Sequence, residues 1–218
     1  MSASRGSTSI AAPEGHPGPV ARAVDVVLDP RAAFTAVAAR PAWLGTFLIV
    51  VALRFGSAFV FHRPDVTAVK LVAGLLFQVV TIGPMLMTAA GLLWVITTAW
   101  GARVDWRTAV SIVAHVCLAH TIASIGTASI AGALLPASVD VDPRDPPFTS
   151  LRGLAHESGS LAARLLGEID LRSAYAVTLL AIAIRATVPQ ASRGRVVGVI
   201  GTCIAIRLLA VAWSSEVS

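Results

Sequence analysis

Apolar residues run along this chain in long blocks, parted by short polar breaks. Between positions 85 and 135 two blocks, MLMTAAGLLWVITTAW and TAVSIVAHVCLAHTIASIGTASIAGALL, are separated only by GARVDWR. A soluble helical hairpin needs a polar stripe on each arm, and neither arm has one. In a bilayer the pattern is reasonable, because each helix satisfies its own backbone hydrogen bonds and the charged break turns in the interface. The same reasoning along the chain predicts an all-α integral membrane protein. Its five transmembrane helices fall at about 43–61, 72–100, 108–135, 171–188 and 196–213, within a membrane domain spanning 42–214.

The second of these lies in an apolar run, 66–100, that would reach roughly 50 Å as one straight helix. Gly83-Pro84 offers a place to divide it into two spans. Neither half is flanked by charge at that break, so one helix kinked at the proline, with its first turns near Lys70 in the interface, is the better reading.

Two weaker patterns lie outside the spans. In the amphipathic segment 19–41, Asp29-Pro30 is a helix start signal, with Phe34 and Val37 on one face and Pro41 as the stop. This predicts a short helix on the membrane surface, an ordinary linker being the alternative. In 148–167, Leu151, Leu154, Leu161 and Leu165 recur at helical spacing with Arg152, Glu157 and Arg164 off that face, which predicts an interfacial helix before the fourth span. Residues 1–18, rich in Ser, Gly, Ala and Pro, read as a disordered tail. The first long apolar run begins only at Trp43, so a retained, uncleaved N-terminus is expected.

Composition agrees with the pattern. Of 218 residues, 56% are hydrophobic and 13% charged, against about a quarter charged in soluble domains. The net charge of +5 reflects 17 Lys and Arg against 12 Asp and Glu. No basic run is interleaved with aromatics, so the excess speaks of topology and anionic lipid rather than nucleic acid. Arg103, Arg107, Arg185, Arg193 and Arg195 flank two short loops, and the long loop between the third and fourth spans is acidic. The positive-inside rule then places the N-terminus in the cytoplasm and the C-terminus outside. Trp43, Trp100, Trp106 and Trp213 fall at span ends, as in an aromatic belt. A single lysine among many Arg, Ala and Val residues is the bias of a GC-rich bacterial genome, which points to a bacterial inner membrane.

In the order of its features the chain resembles the Yip family, the multi-span proteins named for interacting with Rab-type GTPases, in its bacterial branch. The resemblance covers residues 25–213. It rests on Pro30, Phe34, Ala38 and Pro41 before the first span, and on Leu92-Leu93-Trp94 running into the loop at Gly101. To these it adds the polar-studded third span and Leu165-Leu166-Gly167-Glu168-Ile169-Asp170-Leu171 leading into the fourth. The chain departs from the family in having one glycine at that loop where a pair is frequent, and Tyr175 where Trp often follows. The resemblance implies five membrane helices with a cytosolic N-terminus, and it supplies no catalytic residues. The vesicle-traffic role of eukaryotic members depends on Rab machinery that bacteria lack.

Four ionisable residues are the sharpest functional candidates. Arg54 and Arg207 lie deep in the first and fifth spans, where an arginine costs about 3 kcal/mol or more unless it faces protein or water. Glu168 and Asp170, just before the fourth span, are the nearest acids on the outer side. Either these acids pair with the arginines, or the arginines line a cavity for an anion or lipid headgroup. On the third span, His115, Cys117 and His120 raise a metal reading. The two histidines, five residues apart, point roughly 140° from each other at ~100° per residue, so polar packing is the better account. Ser124 and Gln78 join them as polar packing or path residues, and Ser124, Ala128 and Gly132 form a small-residue row that marks the third span as the hub of the bundle or as a dimer face.

No cofactor or metal is expected. Nothing in the chain has the layout of an enzyme: there is no phosphate-binding glycine loop, no intramembrane Asp pair and no serine with a positioned base. The expected partners are membrane lipids, other membrane proteins or a second copy of the chain. Two functions remain: a non-enzymatic, partner-binding or membrane-organising protein, or a small transporter or channel using the intramembrane arginines.

Overall fold

In a computed structural model, the structure describes residues 19–62, 67–134, 166 and 170–216. The tail 1–18, the amphipathic segment 148–167 and Glu168 lie outside the described residues, apart from Leu166. What is described is helical, with no strand: α1 (Pro19–Leu28), α2 (Pro30–Ala39), α3 (Trp43–His62), α4 (Ala68–Ala99), α5 (Trp106–Leu134), α6 (Leu171–Thr187) and α7 (Arg193–Glu216).

Among the described residues three helices are long and apolar enough to cross a membrane: α4, α5 over Trp106–Ile130, and α7 over Arg193–Val211. Their outer faces are apolar as well. Val69, Phe77 and Leu209 are 78%, 67% and 68% exposed, a surface that suits lipid and would drive association in water. The long second run forms a single helix through Pro84, so the proline leaves one backbone bond unmade without dividing the segment.

Local sequence explains where the helices stop and start. Asp29 closes α1 by donating its N–H to the Asp25 carbonyl at 2.7 Å. Its carboxylate accepts from Ala32 N–H at 3.1 Å and opens α2, with Pro30 in the first turn. At the end of α4, Gly101 adopts φ +68°. Its N–H reaches the Thr98 carbonyl and Ala102 N–H reaches that of Thr97, the paired bonds of a Schellman cap. Asp105 then caps α5 through the Thr108 N–H at 3.1 Å and the Thr108 hydroxyl. The six-residue turn from Trp100 to Asp105 is therefore built from a left-handed glycine and a capping aspartate.

α5 is the hub, packing against α1, α2, α3, α4 and α6. One core joins Phe47, Val50 and Val51 of α3 to Leu86 and Ala90 of α4 and Val110, Ala114 and Leu118 of α5. A second gathers Val26 of α1, Ala33, Phe34 and Val37 of α2, Ile112 of α5, Leu179 and Ile184 of α6, and Val199 of α7. These contacts bring the start of α3, the end of α4, the start of α5, the end of α6 and the start of α7 to one end of the bundle.

The N-terminal segment departs from its expected form. It contains two helices rather than one, and α2 does not lie free on a surface. Phe34 and Val37 are fully buried because α6 and α5 cover the face on which they lie. An apolar stripe of this width satisfies protein as well as headgroups, and here protein takes it.

Candidate functional site

Two polar layers interrupt the apolar bundle. The inner one centres on His115, which is fully buried. Its Nδ1 lies 2.7 Å from the Ser111 carbonyl one turn back, and its Nε2 lies 3.2 Å from Thr46 Oγ1 on α3. A carbonyl only accepts, so Nδ1 carries the proton, and in the neutral ring Nε2 accepts from the Thr46 hydroxyl. The Phe34 ring meets the imidazole edge-on, with centroids 6.4 Å apart. His115 thereby ties α5 to both α3 and α2.

Arg22 of α1 acts electrostatically on this ring, while its Nη1 reaches the Arg40 carbonyl at 3.4 Å. Arg22 Nε and Ser111 Oγ are buried without a hydrogen-bond partner. Thr46 and Arg22 escaped the sequence reading, because neither stands out from its neighbours in type or spacing.

The outer layer centres on His120, half-buried on α5. The charges of Arg172, Asp170, Arg207 and Arg54 all act on it, so α3, α6 and α7 each bring an arginine toward one ring. Their heights agree. Counting ~1.5 Å per residue from the shared end, Arg54 lies ~17 Å in, and His120, Arg207 and Arg172 lie ~21–23 Å in.

Asp170 is held by its own helix. It caps α6 through the Ser173 N–H and pairs with Arg172, whose Nη2 and Nε lie 2.7 and 2.9 Å from Oδ2. Burial works against its charged form, but the Ser173 and Arg172 hydrogen bonds outweigh this and hold the carboxyl below its ordinary range. The sequence reading missed Arg172; the available signal was an arginine two residues after a capping aspartate.

Arg54 is half-buried on α3, and its charge acts on Cys117 and His120. Arg207 is exposed on α7 and engaged by a neighbour. Ser124 Oγ donates to the His120 carbonyl at 2.8 Å, so its hydroxyl serves its own helix. Gln78 is half-buried on α4, apart from both layers. Cys117 lies one turn before His120 and within the field of Arg54. Among the described residues no three His, Cys, Asp or Glu side chains come close enough together to hold a metal ion.

The charges of Arg54, Arg207 and Asp170 thus all act on His120, while His115 belongs to a different layer. No family model matches the chain, and comparison with curated proteins and with solved structures finds no match.

Proposed function

We propose that the chain is a five-span, non-enzymatic membrane protein of the kind the Yip family represents, acting by helix packing and partner binding at a cytoplasmic end. α3 and α6 complete the spans beside α4, α5 and α7. The observation that carries this reading is the shared end of the bundle. The α1–α2 hairpin is built into the core there, beside the turn at Gly101 and the loop between α6 and α7. Arg103, Arg107, Arg185, Arg193 and Arg195 stand exposed around it. An N-terminal segment, two short loops and the basic charge at one end are what an N-in, C-out bundle requires.

Reporter fusions at the two termini test it: the N-terminal reporter should be active only in the cytoplasm and the C-terminal one only outside. Both termini on one side would overturn the five-span reading. Pull-down of the detergent-solubilised full chain should then recover membrane-protein partners or lipid through the basic end.

The second reading, passage of a small anion past Arg54 and Arg207, is favoured by the convergence of charge on His120. Against it stands the inner end, filled by Phe34, Val37, Ile112 and Ile184. Flux of a small anion into vesicles carrying the protein, at a rate above empty vesicles, would favour this second reading over the first.

A further inference from the structure

The turn between α4 and α5 and the loop between α6 and α7, taken with the helix ends that flank them, carry Arg103, Arg107, Arg185, Arg193 and Arg195 against one acid, Asp105. That acid is engaged in capping α5 through Thr108. Packing joins the two segments. The Trp100 ring lies on Gly198 of α7, and its N–H donates to Thr202, which seats the end of α4 on the first turns of α7. One turn before Gly198, Arg195 lies over the left-handed glycine of the turn. A Cβ at Gly101 would meet Arg195 Cζ at 3.9 Å and Nε at 4.0 Å. Arg195 and Trp100 are thus neighbours on one face of α7, and both are exposed. Arg103 stands exposed two residues beyond Gly101 in the same turn.

What surrounds this basic face decides which anion it suits. Indole rings settle at the level of lipid headgroups, and Trp100 and Trp106, each 44% exposed, stand at the two ends of the turn. Beyond that level the same pair of helices turns apolar residues outward, Leu92 and Val95 on α4 and Val197 and Ile204 on α7. A headgroup phosphate reaches the arginines while its acyl chains follow these apolar walls. An acidic protein segment would match the charge and leave the walls uncovered. The planar guanidinium fork fits the paired oxygens of a phosphate and stays charged at every working pH. We infer that Arg195 and Arg103, beside Trp100, form a seat for the headgroup of an anionic phospholipid where α4 turns into α5 against α7. The inference rests on the membrane reading above and names the partner of its basic end.

The full chain is purified in a neutral detergent and offered micelles holding equal amounts of phosphatidylglycerol and phosphatidylcholine with identical acyl chains. Native mass spectrometry reads which lipid is retained. Arg195→Gln, Arg103→Gln and the double variant are compared with the wild type, with helicity and elution profile as checks on folding. The wild type should retain phosphatidylglycerol in preference. Each single variant should lower that preference about fivefold, and the double variant should abolish it.

Arg31→Gln supplies the control. It removes the same charge from the exposed side of α2, a helix packed on α1, α5 and α6, and should keep the wild-type preference. A loss equal to that of Arg195→Gln would overturn the inference, by showing that net charge alone selects the lipid. Equal retention of the two lipids by the wild type would overturn it as well. So would displacement of phosphatidylglycerol by inorganic phosphate at equal concentration, the mark of a free-anion site, or an acidic protein retained in place of lipid and lost in the double variant. The terminal reporters read topology in cells and do not depend on lipid selectivity in detergent, so failure of the seat and failure of the five-span reading are told apart.

Discussion

The Trp100 ring occupies the space that a side chain at Gly198 would need. A methyl group there would lie 2.6 Å from Cζ3 and 2.7 Å from Cε3 and Cη2, while the indole N–H donates to Thr202 Oγ1 at 3.2 Å one turn further on. The end of α4 is in this way clamped to the first turns of α7. Gly198→Ala should push the indole away, break the Thr202 bond and cost about 1–3 kcal/mol, the usual range for overpacking. Gly201→Ala is the matched control, because a Cβ at Gly201 meets nothing within 4 Å, and it should leave stability equal or slightly raised. Thermal unfolding of the two variants in the same detergent checks the difference.

Phe34→Ala should remove the side chain that fastens the N-terminal hairpin. Loss of a fully buried phenyl ring costs about 3–5 kcal/mol where the cavity does not collapse. Because α1 and α2 are short and lean on this contact, the damage should be local. Hydrogen exchange should rise over Pro19–Ala39 while the middle of α5 stays protected. Uniform loss of protection would show that the hairpin and the bundle unfold as one unit.

The Thr46–His115 bond makes a prediction about pairs. His115→Phe keeps most of the volume but strands a buried hydroxyl and should cost about 1–3 kcal/mol. Adding Thr46→Val removes the stranded group, so the double variant should be more stable than His115→Phe alone. A double-mutant cycle in unfolding experiments reads the coupling directly, and strict additivity would remove the bond from any role in stability.

Asp105 gives a pH dependence with a definite sign. Burial opposes its charged form, yet hydrogen bonds from the Thr108 hydroxyl and from backbone N–H groups outweigh this and hold its pKa below the ordinary 3.8. A carboxyl lowered on folding adds stability above its unfolded pKa, and that stability is lost as pH falls through the folded value. Stability should therefore decline below about pH 4, and Asp105→Asn should flatten the part of the decline due to this group. Unfolding midpoints of both proteins from neutral pH down to about pH 3 provide the comparison.

Much of this architecture was legible because helix signals are local. Asp29-Pro30 announced α2, the apolar run from Leu171 the start of α6, and the absence of charge at Gly83-Pro84 the continuity of α4. What stayed hidden depended on contacts across the chain. Phe34 and Val37 form the same stripe whether lipid or Leu179 and Ile184 cover it, so periodicity found the face and missed its partner. For Asp170 the search for a mate looked across the bundle toward Arg54 and Arg207, whereas the short pair forms with Arg172, on the same turn. The divergent directions of His115 and His120 were readable from their spacing alone, since helix geometry fixes angles without any tertiary information.

The burial of α2 against α6 also bears on how the protein is made. α2 precedes α6 in the chain, with α3, α4 and α5 between them, so Phe34 is synthesised long before Leu179 and Ile184 exist to cover it. Until then its apolar face must rest on the membrane surface or on a chaperone, and long-range contacts of this kind form late. The amphipathic character that looks like a surface anchor in the sequence has a real use in that interval. The face that first needs a temporary cover becomes the keystone of the finished bundle.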